Sequence, residues 1–317
     1  MTANQGRRTL TDSRHWQRRS AALIAAVAIG ALVCLAPPAA FAGPVYTLQD
    51  LNSKAEFFQD DQQSGKGGTS TIPGMFNWIV EGEDHMYQQW FWYRIGGQGA
   101  EESIDSLTRL GASTSNTNFN AGDDVLMLRY GDGDTAENST FWIDIRYSLM
   151  GGEPGEQSKS LIAEEIKVTN RTASTLDFHL FQYTDFDLSD SPDDDIVMID
   201  PDHPNTVRQW EQAPHLTATE TVTTPVPSHF EIAPWSNTLD KLEDGVADDL
   251  DDLGGVVGYD DVTWAFQWDF TVAGYGSSPL ISKQKRLELL PEPVTVLGVF
   301  VGLAALGGYI RRRREAS

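Results

Sequence analysis

Polar and apolar residues alternate through most of the middle of the chain. Phe141, Ile143, Ile145 and Tyr147 fall on one side of a two-residue period, with Trp142, Asp144, Arg146 and Ser148 on the other. Ile162, Ile166 and Val168 share a face. After a turn at Asn170-Arg171-Thr172-Ala173, Leu176, Phe178 and Leu180 begin the next strand opposite His179, Phe181 and Tyr183. The longest run sets Val262, Trp264, Phe266, Trp268, Phe270 and Val272 against Thr263, Ala265, Gln267, Asp269 and Thr271. Side chains of an extended backbone point alternately to opposite faces, so this pattern predicts half-buried strands. Further strands are predicted at 76–81, 86–95, 125–130, 206–211, 215–223, 229–233 and 280–289.

Helical periodicity is rare. Leu239, Leu242, Val246, Leu250 and Leu253 recur at three- and four-residue steps and predict one helix, with Ser236 at its start and Gly254-Gly255 at its end. Gly245 interrupts it. Ile104, Leu107 and Leu110 fit a second short helix or a twisted strand. Many strands, few helices and turns rich in Gly and Asp imply an all-β fold, an antiparallel, jelly-roll-like β-sandwich with one or two short helices.

The two ends follow other rules. Arg7, Arg8, Arg14, Arg18 and Arg19 precede an apolar run from Ala21 to Leu35, and small residues lead to Ala40-Phe41-Ala42. A basic segment, a short apolar helix and an A-x-A site make a signal peptide over residues 1–42, cleaved after Ala42. Cys34 is the only cysteine and lies inside that apolar run, so the mature domain folds without disulfides. At the other end Pro291-Glu292-Pro293 is followed by an uncharged stretch from Val294 to Ile310, and then by Arg311, Arg312, Arg313 and Arg314. A 17-residue apolar stretch is at the lower limit for a transmembrane helix. The four arginines act as a stop-transfer signal and keep that end in the cytoplasm. Three regions result: the signal peptide (1–42), an extracellular sandwich (43–285), and a tail (286–317) containing the membrane helix 294–310.

This tail resembles the PEP-CTERM sorting domain of bacterial exopolysaccharide-associated proteins. The resemblance rests on Pro291, Glu292 and Pro293, the span 294–310 and the arginine cluster. It implies processing near the motif by an exosortase, and therefore an exported protein at the cell envelope, released or passed to a surface carrier. The expected partners are the secretion machinery, the exosortase, the membrane through the C-terminal helix, and exopolysaccharide.

Charge narrows the rest. Residues 43–290 hold 14 basic and 43 acidic side chains, a net charge of −29. Such a surface repels nucleic acid, whose binding needs Lys and Arg to displace counterions. It suits a solvated extracellular domain, with calcium as a candidate bridging ion. The run Asp185-Phe186-Asp187-Leu188-Ser189-Asp190-Ser191-Pro192-Asp193-Asp194-Asp195 offers clustered oxygens, which Asp200 or Asp202 could join. Its opening spacing imitates an EF-hand, but Asp190 stands where the sharp-turn Gly belongs and Ile196 where the bidentate acid belongs. Asp185, Asp187, Asp190 and Asp193 are candidate metal ligands, with a solvated acidic loop as the default.

Trp90 and Trp92 are candidates for stacking on sugar rings. Because Phe91 and Tyr93 make the opposite face aromatic too, a central strand covered on both sides is the preferred reading. The histidines of the middle are not at metal-ligand spacing, and no nucleophile elbow or phosphate loop is present. Two carboxylates suffice for glycoside hydrolysis, and Glu164-Glu165 is the first place to look for them. The leading expectation is a non-enzymatic cell-surface or matrix protein. The rival is a secreted carbohydrate-active enzyme or carbohydrate-binding protein on the same scaffold.

Overall fold

The alternating segments pair into two facing antiparallel sheets. The computed structural model describes residues 45–58, 73–155, 159–211 and 216–289. Ala40, Ala42, the signal segment, Pro291–Pro293, the span 294–310 and Arg311–Arg314 lie outside the described residues. Among the described residues no helix is long and apolar enough to cross a membrane.

The first half of the chain supplies β1 (Tyr46–Asp50), β2 (Ser53–Phe58), β3 (Gly74–Val80), β4 (Glu83–Asp84), β5 (Gln88–Ile95), β6 (Glu102–Ser103), β7 (Thr108–Ser115), β8 (Val125–Gly131) and β9 (Phe141–Gly151). The second half supplies β10 (Ser160–Asn170), β11 (Leu176–Asp185), β12 (Asp195–Ile199), β13 (Thr206–Glu211), β14 (Leu216–Thr224) and β15 (His229–Pro234). Then come α1 (Asn237–Glu243), β16 (Gly255–Asp260), β17 (Val262–Val272) and β18 (Ile281–Leu289). The first sheet is ordered β1-β2-β3-β5-β11-β17-β15, with β4 and β6 attached to β3 and β5. The second is ordered β16-β12-β13-β14-β18-β10-β9-β8-β7. Each has nine strands, so the sandwich is larger than the roughly eight-stranded jelly roll.

Aromatic side chains fill much of the space between the sheets. Phe178 of β11 meets Phe141 of β9 edge-on at 5.4 Å and stacks on Tyr93 of β5 at 5.9 Å. Phe186 stacks on Trp264 at 5.4 Å. Gly74 lets β3 pass close to β5. Its φ is +95°, and a Cβ there would lie 2.2 Å from the Gln89 carbonyl oxygen and 2.5 Å from the Trp90 ring.

Of the two helical expectations, one needs correction and one is met. The helix ends at Glu243 instead of running to Leu253, because Gly245 turns the backbone to φ +81° and the following residues extend across the first sheet. The 104–110 segment is a short 3-10 turn at Ile104–Ser106 that runs into β7. In addition, β18 remains paired with β14 to Leu289, so residues 286–289 belong to the sheet and not to the tail.

The center of the sandwich also holds four buried charges. β18 lies between β10 and β14 and points Lys283 and Lys285 inward, where Glu164 and Glu220 face them. Both lysines bond to Glu164, and they lie 3.1 and 3.4 Å from Glu220. The indole of Trp264 donates to Glu220 at 2.8 Å and the Gln182 amide at 3.1 Å. Burial presses the Glu220 carboxyl upward. The two ammonium groups and these hydrogen bonds outweigh it and hold it down, from its ordinary 4.5 to about 2.

Glu220→Gln should therefore lower the unfolding free energy by about 3–5 kcal/mol in urea titrations, because it strands excess buried positive charge. Replacing Glu220 and Lys283 together with Met should cost less than the single change. Since the folded pKa of Glu220 is depressed, its contribution is full above pH 4.5 and is lost as pH falls toward 2. In acid titrations the wild type should lose stability across that window and Glu220→Gln should lose less.

Candidate functional site

The first sheet has little open surface. The preferred reading of the aromatic strand holds: Trp90 and Trp92 are 0 % and 1 % exposed and present no ring face to solvent. The Trp90 indole donates to Ser103 at 2.9 Å, and Trp92 meets Tyr183 edge-on at 6.1 Å. The chain after α1 crosses the same face: Arg94 donates to the Asp248 carbonyl at 2.7 Å, and the Leu250 amide donates to Gln267 at 2.9 Å.

The acidic run is divided by the fold. Asp185 and Asp187 are buried and come together with Asp261, which follows β16. Asp190 and Asp193 are exposed and outside this group. The three clustered carboxylates offer ligand oxygens within 4.8 Å of one another, fewer than the six to eight that calcium takes. Beside them is a pocket of about 160 Å³ walled by Tyr87 and Trp235. Burial, then Asp187, Asp193 and Asp260, push the Asp261 carboxyl up to about 6.

A second cluster was invisible to sequence spacing. His179 bonds to Asp269 at 2.6 Å, and Asp249 completes a group that could hold a metal. Both carboxylates are already engaged, because Gln267 donates to each and Arg94 pairs with Asp249 at 2.6 Å. Glu164 belongs to the buried charge network. Glu165 points the other way and pairs with Arg146 at 3.2 Å. The two do not form a catalytic pair.

The outer face of the second sheet is different. A groove of about 550 Å³ lies across β12, β13, β14 and β18. Thr217, Thr219 and Thr221 form its floor, Trp210 and Arg208 one side, and Arg286 and Glu288 the other. Strand register explains the arrangement. Trp210, Thr217 and Glu288 are directly opposite one another, as are Arg208, Thr219 and Arg286 in the next row. Trp210 is partly exposed and makes an apolar wall, while the other side chains supply donors and acceptors. Arg286 pairs with Glu288 at 2.6 Å. Glu288 is the only carboxylate among the described lining residues, whereas glycoside hydrolysis uses two.

Sequence reasoning placed the three main strands of the groove but singled out none of its residues. The available signal was the outward face: Arg208-x-Trp210, Thr217-x-Thr219-x-Thr221 and Gln284-x-Arg286-x-Glu288, with cations where the domain is otherwise acidic.

No protein-family model and no curated protein matches the chain. Among solved structures, the chain is similar to a bacterial glucoamylase complexed with acarbose, at 6% identity and a TM-score of 0.50, over 79% of this chain and 32% of that one. It is also similar to a galactose mutarotase-like protein from Lactobacillus casei, at 8% identity and a TM-score of 0.45, over 77% of this chain and 100% of that one. A galactose mutarotase related enzyme from Lactobacillus acidophilus matches at 9% identity and a TM-score of 0.44, over 78% and 100%. At these identities the likeness is one of fold.

Asp261→Asn tests the acidic cluster. A carboxyl with a raised folded pKa keeps its proton in the native state while the unfolded chain has lost it, so it costs stability as pH rises from about 4 through 6. Asp261→Asn should raise the melting temperature at neutral pH and leave it nearly unchanged near pH 4, read by thermal melts across that range.

Proposed function

We propose that this chain is an exported carbohydrate-binding protein of the bacterial cell envelope, delivered by its N-terminal signal and sorted through its C-terminal tail. The observation that carries the binding reading is the groove on the second sheet. It combines a partly exposed indole with hydroxyl, guanidinium, amide and carboxylate groups on rigid strands. An indole face covers the apolar C–H face of a sugar ring, and polar groups around it select the hydroxyls. The likeness in fold to the glucoamylase is compatible with this reading and does not by itself supply it. Export and sorting rest on the residues at the two ends, Ala40 and Ala42 on one side and Pro291 to Arg314 on the other.

Trp210→Ala should weaken binding of a glycan found on an array by about tenfold, corresponding to about 1.4 kcal/mol in calorimetry. Protein that binds no glycan on the array would remove the reading. Mass spectrometry of the protein from its host should find a mature N-terminus at Gly43 and a C-terminus near Pro291–Pro293. A chain intact through Ser317 would remove the processing step.

A further inference from the structure

We propose that the groove takes a uronic-acid polysaccharide, whose ring carboxylates are held by Arg208 and Arg286 on either side of β14. This rests on the carbohydrate reading above and adds the chemical class of the ligand. Arg208, Thr219 and Arg286 stand in one row across three adjacent strands. At a strand spacing of ~4.8 Å, the two arginine Cα atoms are roughly 10 Å apart. Both side chains are exposed and line the groove. A guanidinium grips a carboxylate through two parallel N–H bonds, which a neutral sugar cannot return.

The two arginines are not equivalent. Arg286 already pairs with Glu288 at 2.6 Å, whereas Arg208 has no ion pair among the described residues. The floor itself is closed at its base. Thr217 is 8% exposed, and its hydroxyl has no hydrogen-bond partner among the described residues.

Charge distribution over the whole face points to the same ligand. Arg129, Arg146, Lys167, Arg208 and Arg286 alternate with inward residues and share the outer side of the second sheet. Four acids accompany them: Asp144 pairs with Arg129, Glu165 with Arg146 and Glu288 with Arg286, and Asp200 lines a neighboring pocket with Arg208. The face therefore carries a net positive charge in a domain whose net charge is −29. A polyanion is repelled by the rest of the surface and steered to this side. Trp142, on the same face, has Arg129 and Arg171 over its ring at 4.3 and 3.9 Å, so Trp210 is the ring left for stacking.

The test measures binding of the purified protein to polygalacturonate, dextran sulfate, neutral dextran and single-stranded DNA, at about 0.05 M and 0.5 M NaCl, where screening differs several-fold. The variants are Arg208→Gln and Trp210→Ala, with thermal melts to confirm folding. Polygalacturonate should bind best, lose about tenfold in affinity at the higher salt, and lose about tenfold again in Arg208→Gln. Dextran bound as tightly as polygalacturonate, with Arg208→Gln unchanged, would overturn the uronate assignment and leave the carbohydrate groove standing. Tighter binding of dextran sulfate or of DNA would replace the occupant. Binding unaffected by Trp210→Ala in every case would overturn both the assignment and the groove itself.

Discussion

Four charges sealed between two sheets are the constraint that organizes this protein. Lys283 and Lys285 are held by Glu164 and Glu220 in a region without solvent, and each partner comes from a different strand. A one-residue slip of β18 would send both lysines to the surface and leave two carboxylates buried alone. Register in the middle of the second sheet is therefore set by electrostatics as well as by apolar pattern. The same strand carries Gln284, Arg286 and Glu288 outward. What fixes the interior thus also fixes which groups face the groove.

The two sheets differ in what covers them. The first is covered on its outer side by the β6 region and by the chain after α1, so β5 and much of β11 and β17 are buried on both faces. The second has one side in water, and its strands keep the regular alternation of buried and exposed positions. The groove, these exposed cations and the partly exposed Trp210 all lie on that open side.

Much of this was legible in the sequence where one face of a strand is apolar. The alternating runs at 141–148, 162–168 and 262–272 lie within β9, β10 and β17. Strands without that contrast were missed: β7 is polar and exposed along nearly its whole length, and β16 is short and glycine-containing. Helical spacing from Leu239 to Leu253 misled because a left-handed glycine ended the helix after two turns. The inward lysines were illegible in a different way. Ile281, Lys283, Lys285 and Leu287 share a buried face, and nothing in a single strand reveals that carboxylates await on its neighbors. The groove was hidden for the same reason, since its walls come from segments about 75 residues apart in the chain.

Under the proposed export, the position of β18 bears on how such a chain would cross the membrane. It is a central strand of the second sheet, yet it follows in sequence every strand it pairs with. A polypeptide threaded outward from its N-terminus presents β10 and β14 long before their common neighbor arrives. Until then Glu164 and Glu220 have no lysines, and the sheet remains split by an empty slot. Closure waits for the stretch that ends at Leu289, immediately before the segment inferred to enter the lipid. If the tail anchors the chain as proposed, maturation of the sandwich and arrival of the anchor at the bilayer would become one event, and tension on that anchor would pull directly on the strand that locks the sheet.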